Sequence, residues 1–471
     1  MNFSSELDNN QVFTTIGKAA DRLGVACYVV GGYVRDLIMK RPSKDVDFVC
    51  VGSGIALAQE VARSLGGLRV TIFKNFGTAR IDWDGFELEF VGARKESYRE
   101  DSRKPLVEDG TLEDDQNRRD FTINAMAISL NAGSWGMLVD PFDGMTDIQK
   151  KIIRTPQAPE ITFSDDPLRM MRAIRFAAQL NFDIEASTFE AIGTNASRLK
   201  IVSMERIIDE LNKIILTPKP SYGFKLLFHS GLLKEFFPEM VELHGVENID
   251  NKGHKDNFYH TLQVLDNTAK TSEDLWLRWA AILHDIAKPA TKRFDKVHGW
   301  TFHGHEDKGA RMVPKIFRRL KLPLDERMLF VQKLVRLHLR PIALAKAVTD
   351  SAIRRLLFDA GEDIEALMLL CRADITSKND EKVAKYLKNF DLVEERMGAV
   401  EEKDKVRNFQ PPIKGDEIIE LFNIPAGPIV GEIKEQIKDA ILDGEIENDK
   451  EQAFQLMLKI AEKKGLNRIN K

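Results

Sequence analysis

Up to about residue 135 the chain alternates helical periodicity with short β-branched or aromatic runs. Ala26-Cys27-Tyr28-Val29-Val30, Asp45-Val46-Asp47-Phe48-Val49, Leu68-Arg69-Val70-Thr71-Ile72 and Phe86-Glu87-Leu88-Glu89-Phe90 have the apolar continuity or period of two expected of strands. Beyond about residue 160 these signals fade, and amphipathic patterns over Pro167 to Leu180, Met204 to Leu216 and Asp274 to Ala287 replace them. The expected fold class is α+β: a mixed sheet with helices, followed by an all-helical remainder. Pro411-Pro412 and Gly427-Pro428 mark a late boundary before a helical tail of mixed charge.

At 471 residues, 43% hydrophobic and 30% charged, the chain can bury more than one core. With 69 basic and 73 acidic residues it is no polycation, so any nucleic-acid contact must come from local basic faces. Cys27, Cys50 and Cys371 are odd in number and widely spaced, which argues against a disulfide framework and for a reducing cytoplasm. Met1 to Gln11 carries no basic-then-apolar leader and no stretch has the length of a membrane span, so a soluble, unanchored protein is expected.

Two constellations carry chemistry. In Val29-Val30-Gly31-Gly32-Tyr33-Val34-Arg35-Asp36, two glycines stand between a strand and a helix start, where bare backbone approaches a phosphate. Neither a dinucleotide fingerprint nor a GxxxxGK[ST] loop is present. Asp45 and Asp47 lie two apart in a β-like run, so both carboxylates face one side of the strand. Such a pair suits Mg²⁺ that is completed by substrate phosphates, and Glu89 is a candidate third carboxylate. An isolated Asp-x-Asp is more often a solvated strand face. The second constellation is His260, the adjacent His284-Asp285 and the remote Asp374, all in helical patterns; imidazole with carboxylate suits a divalent metal that activates water toward a phosphoester.

Gly31-Gly32-Tyr33-Val34-Arg35-Asp36 followed by Asp45-Val46-Asp47 resembles the signature of the class II tRNA nucleotidyltransferase and bacterial poly(A) polymerase family. Arg118-Arg119-Asp120-Phe121-Thr122-Ile123-Asn124 resembles that family's second motif, Asp143-Gly144 its hinge, and Asp165-Asp166-Pro167-Leu168-Arg169 with Arg172 its base-reading motif. The resemblance implies a polymerase-beta-like nucleotidyltransferase head, with Asp45, Asp47 and Glu89 catalytic and Gly31, Gly32, Arg35, Arg119, Asp120, Asn124, Asp166, Arg169 and Arg172 binding the nucleotide. A carboxylate at Asp166 accepts from the exocyclic amine that C and A have and U lacks, while Arg169 donates to a ring acceptor. Asp165 replaces the family's usual Glu. Arg94 to Gln116 occupies the place of the loop that switches addition to the terminal A.

The His260, His284, Asp285 and Asp374 set is similar to that of the HD phosphohydrolase superfamily, which implies Ni, Mn, Co, Fe or Mg²⁺ there. His305 and His338 stand where two-metal members have extra histidines, with His298 and His303 as rivals. The implied domains are a head over 1–140, a helical neck over 141–220, an HD domain over 221–400 and a helical tail over 401–471. The implied activity is Mg²⁺-dependent addition of CCA to tRNA from CTP and ATP, with no membrane and no obligate protein partner. The alternatives are a poly(A) polymerase, a partial CC- or A-adding enzyme, and an RNA-end phosphohydrolase guided by a non-catalytic head.

Overall fold

A computed structural model describes residues 1–468 except 75–76, 100–101, 250–251, 345–348, 377–378, 405–409 and 411. The chain forms two compact units, Met1–Val241 and Glu242–Lys471. The first is built on a seven-stranded mixed sheet and the second is mainly helical, as expected of an α+β chain.

The sheet strands are β1 (Cys27–Val30), β2 (Asp45–Cys50), β3 (Thr71–Phe73), β4 (Thr78–Trp83), β5 (Phe86–Gly92), and, after a separate hairpin of β6 (Arg94–Arg99) with β7 (Ser102–Asp109), β8 (Ala127–Ser129) and β9 (Leu138–Val139). Their order is β3-β4-β5-β2-β1-β8-β9. Among the pairings of this sheet β2–β5 is parallel, and its register sets Asp47 opposite Glu89 and Asp45 opposite Glu87. Phe48 and Phe90, one residue on, point to the other face and stack at 5.0 Å. There they meet the helix Gln11–Leu23, whose Val12, Phe13, Ile16, Ala19 and Ala20 are fully buried. Each large apolar side chain so buried contributes roughly 1.5–3 kcal/mol. Asn10 caps that helix by accepting from the Val12 amide, and Gly24 ends it in the left-handed region.

Three sequence expectations need correction. The strand expected over Leu68 to Ile72 starts only at Thr71, because Gly66 and Gly67 adopt φ of +91° and +83° just before it. The helix expected over Asp274 to Ala287 ends at Leu283, where the His284 ring bonds the Ala281 carbonyl and the chain turns. The later region is also not all helix: Arg293–Asp295 and Gly299–Thr301 form a hairpin, and two-residue strands occur at Ile152–Ile153, Asp183–Ile184, Asn248–Ile249 and Lys252–Gly253. Such strands are too short for periodicity to disclose.

The helices that matter below are α1 (Gly32–Ile38), α2 (Leu168–Leu180), α3 (Met204–Ile215), α4 (Asn257–Thr271), α5 (Leu275–Leu283), α6 (His305–Arg319), α7 (Glu326–Leu337) and α8 (Ile364–Ala373). In the tail, Ile418, Ile433, Ile437 and Met457 form a separate apolar cluster, tied to the rest of the second unit by Arg355 pairing with Asp439 and Asp443. Pro411 lies outside the described residues. Among the described residues no helix is long and apolar enough to cross a membrane.

Candidate functional sites

In the first unit, β1 ends at Val30 and the backbone swings through Gly31 into α1. Gly31 has φ +73°, and a Cβ there would stand 3.0 Å from Nη1 of Arg119 and 3.7 Å from Oδ2 of Asp47. Only glycine serves this turn, and its bareness leaves room beside a guanidinium and a carboxylate. Burial, and to a smaller degree the charge of Asp45, raises the Asp47 pKa against the pull of Arg119. Burial and then Asp47 likewise raise that of Glu89. Carboxylates that share a face and discourage one another's ionisation fit a hard cation, which relieves the repulsion. Asp45, Asp47 and Glu89 do not all converge within 4.8 Å, so the fit is that of a pair with a third acid nearby.

Behind this face runs a chain of polar contacts. Arg35 Nη1 donates to Asn124 Oδ1 at 2.9 Å, Asn124 Nδ2 to Asp120 Oδ1 at 3.2 Å, and Arg172 Nε to Asp120 Oδ2 at 2.8 Å. Burial opposes the Asp120 charge, but Arg172, then Arg169 and Asn124, outweigh it and hold its pKa at about 2. Arg35, Asp120, Asn124 and Arg172 therefore satisfy one another and tie α1 and the second motif to α2. The Phe176 ring lies under Arg35, Arg172 and Arg175 at 5.2, 5.4 and 4.0 Å, and Arg175 also pairs with buried Glu210 of α3 at 2.5 Å.

A cavity of about 240 Å³ opens in the same unit, lined by Lys95, Glu96, Asn117, Arg118, Asp165 and Arg169 among others. Arg169 Nη2 donates to the Arg118 carbonyl at 2.6 Å. Asp166 Oδ1 accepts from the Leu168 amide at 3.2 Å, so Asp165 rather than Asp166 lines the cavity wall. Sequence reasoning passed over Asp115, which is fully buried and gives one oxygen to Arg118 and the other to Arg119. The signal was a carboxylate at i−3 and i−4 from a pair of arginines on a helical turn. The side chains of Arg99 and Arg103, in the segment expected to switch specificity, lie outside the described residues.

In the second unit α4, α5, α6 and α7 deliver His260, His284, His305 and His338 to one buried point, together with Asp285 and Asp374 at the ends of α5 and α8. Nε2 of His260 lies 2.9 Å from Asp374 and 3.4 Å from Asp285, and Nε2 of His284 lies 3.2 Å from Asp285. Nε2 of His305 and of His338 face the other oxygen of Asp285 at 3.2 and 3.8 Å. His298 and His303, the rivals, are exposed. Two three-residue groups thus share Asp285: His260 and His284 with it, and His305 and His338 with it, each within 4.8 Å.

The outer ring nitrogens explain the arrangement. Nδ1 of His284, His305 and His338 each meets a carbonyl three residues back at 2.7 Å, and Nδ1 of His260 meets Thr376 Oγ1 at 2.8 Å. A proton on Nδ1 leaves the Nε2 lone pair aimed inward, the orientation of a metal ligand. Nε2 of His284 is buried without a hydrogen-bond partner, and Nε2 of His305 and His338 face each other at 3.4 Å. Lone pairs so opposed need a shared proton or a cation, and a mixed imidazole and carboxylate donor set fits a divalent ion. Without one, burial opposes charge on His284, but Asp285 and Asp374 raise its pKa to about 10. Burial and His284 push His338 down to about 4. Lys288 reaches Asp285 Oδ2 at 2.6 Å.

Comparison with known proteins bears on both sites. The chain matches the models for the poly A polymerase head domain over residues 27–154, the probable RNA and SrmB-binding site of polymerase A over 181–243, and the HD domain over 257–379. It is 31% identical to the A-adding tRNA nucleotidyltransferase of Deinococcus radiodurans over 430 residues, covering 89% of this chain and 92% of that one. It is 32% identical to the multifunctional CCA protein of Nitrosococcus oceani, covering 75% and 85% of the two chains. Among solved structures it shares the fold of the Bacillus stearothermophilus CCA-adding enzyme in complex with CTP, at a TM-score of 0.66, 24% identity and coverage of 97% and 98%.

Proposed function

This chain belongs to the family of tRNA nucleotidyltransferases that share the poly A polymerase head domain, and from that premise we propose that it restores the 3′ end of tRNA by adding CCA from CTP and ATP. The observation that carries this reading is the register of β2 on β5, which sets Asp47 opposite Glu89 beside the Gly31 turn and Arg119. Asp45 and Asp47 would hold Mg²⁺, which when bound favours the 3′-alkoxide and neutralises the leaving pyrophosphate. Arg119 is anchored through Nε and Nη2 to Asp115, and its Nη1, which makes only a long 3.5 Å bond to the Asn124 carbonyl, is the nitrogen that would meet a phosphate oxygen. Arg169 donates to the ring acceptor of the incoming base, and the Asp165-Asp166 pair supplies the acceptor for its exocyclic amine. Each nucleotide triphosphate offered alone tests this. CTP and ATP should enter at least ~10² times faster than UTP, since a site built to accept from an amine is left unpaired by U. Equal use of UTP would remove the base-reading assignment.

The second reading is addition of A alone. It is favoured by the relatives named A-adding, of which the Deinococcus protein matches this chain over nearly the whole of both. A poly(A) polymerase would gain from a broad basic track that a net charge of −4 does not supply overall.

For the second unit we propose divalent-metal phosphohydrolysis at an RNA 3′ end, such as a 2′,3′-cyclic phosphate. Four inward Nε2 atoms favour Ni, Mn, Co or Fe over Mg²⁺. Cys27, Cys50 and Cys371 are free thiols, in keeping with a cytoplasmic protein.

A further inference from the structure

From His305 to Arg340 the chain carries ten lysines and arginines against four acids, in a protein whose net charge is −4. On α6, Arg311, Lys315 and Arg318 follow at i, i+4 and i+7, so they stand on one helix face. All three are exposed, and none makes an ion pair or side-chain hydrogen bond among the described residues. Like charges at this spacing repel, and solvated helix faces usually intersperse acids to prevent that. Arg311, at one end of the stripe, also borders a groove of about 530 Å³ between α6 and α7, whose lining includes Gln332, Lys333, Arg336 and Arg340. There Arg336 and Arg340 pair with Asp307 and Asp359, and Lys333 with Asp363, which leaves Arg311 as the groove cation without an acid partner among the described residues.

We propose that this face of α6 and α7 docks the sugar–phosphate backbone of the RNA substrate. The inference rests on the tRNA reading above and adds a contact surface on the unit that holds the histidine centre. The stripe rises about 10 Å along α6, and a nucleic-acid duplex carries a charge every ~2 Å of its axis, so several phosphates face it at once. Val313, Ile316 and Phe317 of α6 are buried in the core, so the helix has no apolar face to insert into a bilayer.

The test uses the full chain with Arg311→Glu, Lys315→Glu and Arg318→Glu combined, and a milder all-Gln version. A tRNA transcript is titrated across a KCl series, and hydrolysis of bis-p-nitrophenyl phosphate reports that the unit is folded. The expected result is at least a ~10-fold weaker Kd, a slope of log Kd on log salt lower by about 2–3, and unchanged hydrolysis. An unchanged Kd and slope, in a protein whose wild type extends tRNA, overturns the docking face alone. Wild type that neither binds nor extends tRNA overturns the functional reading and this inference with it. Loss of binding to phosphatidylserine vesicles, with tRNA binding intact, reassigns the face to a membrane and overturns it.

Discussion

Asp47→Ala lowers nucleotide transfer by at least about 10³-fold and changes tRNA affinity by less than about threefold. Asp47 is the acid that faces Glu89 across β2 and β5 and stands beside both the Gly31 turn and Arg119. Its removal leaves Asp45 and Glu87 as the opposed pair of that register, at the exposed end of β2. A lost chelating carboxylate removes transition-state stabilisation on the order of 4 kcal/mol, which is about 10³ in rate. Stability moves the other way. Burial disfavours the ionised form of Asp47, so alanine there leaves the melting temperature level or higher. Single-turnover extension at saturating ATP, with a melting curve on the same sample, separates the two effects. Transfer that survives would place the reacting centre elsewhere in the head.

Asp285→Asn has the second large effect, and in the other unit. Oδ2 of Asp285 serves His260, His284 and Lys288, while Oδ1 serves His305 and His338, so one substitution disturbs both three-residue groups. An amide keeps the shape but removes the negative charge that the four inward histidines and Lys288 surround. We expect phosphoester hydrolysis to fall by at least about 10³-fold, and bound metal, measured by plasma mass spectrometry, to fall with it. Transfer to tRNA should stay within about twofold of wild type. Hydrolysis lost with metal content intact would mean that Asp285 acts on substrate rather than on an ion. Transfer lost in parallel would mean that the two units do not work separately.

The sequence disclosed the chemistry better than its wiring. The period of two placed Asp45 and Asp47 on one strand face, and Glu89 was chosen from a second alternating run, yet nothing along the chain states that β2 and β5 run parallel in register. That pairing is a long-range fact. β4 went unrecognised although Ala79 and Ile81 alternate inward, because Thr78, Arg80 and Asp82 dilute the apolar signal. Asp115 is hidden for a related reason: a motif that points Arg119 at substrate says nothing of the anchor which that arginine and Arg118 need. Arg35, Asp120, Asn124 and Arg172 stand apart along the chain, and only the fold shows that they are joined in one largely buried chain of hydrogen bonds.

The histidine centre shows the opposite case. Adjacent His284-Asp285 with remote His260 and Asp374 was legible from residue type, and His305 and His338 were singled out with His298 and His303 as rivals. What chose between them was helix geometry. His305 opens α6 and His338 closes α7, and only those positions meet at Asp285.

A head that adds a set number of nucleotides to tRNA leaves its record in product length. Three tRNA transcripts, ending at the discriminator base, at C and at CC, are incubated with the protein, Mg²⁺, CTP and ATP and resolved to single nucleotides. All three are expected to converge on the same CCA end and then stop, whereas extension of the CC-ended transcript alone would assign A addition. A long A ladder, or no growth from any of the three, would contradict that expectation.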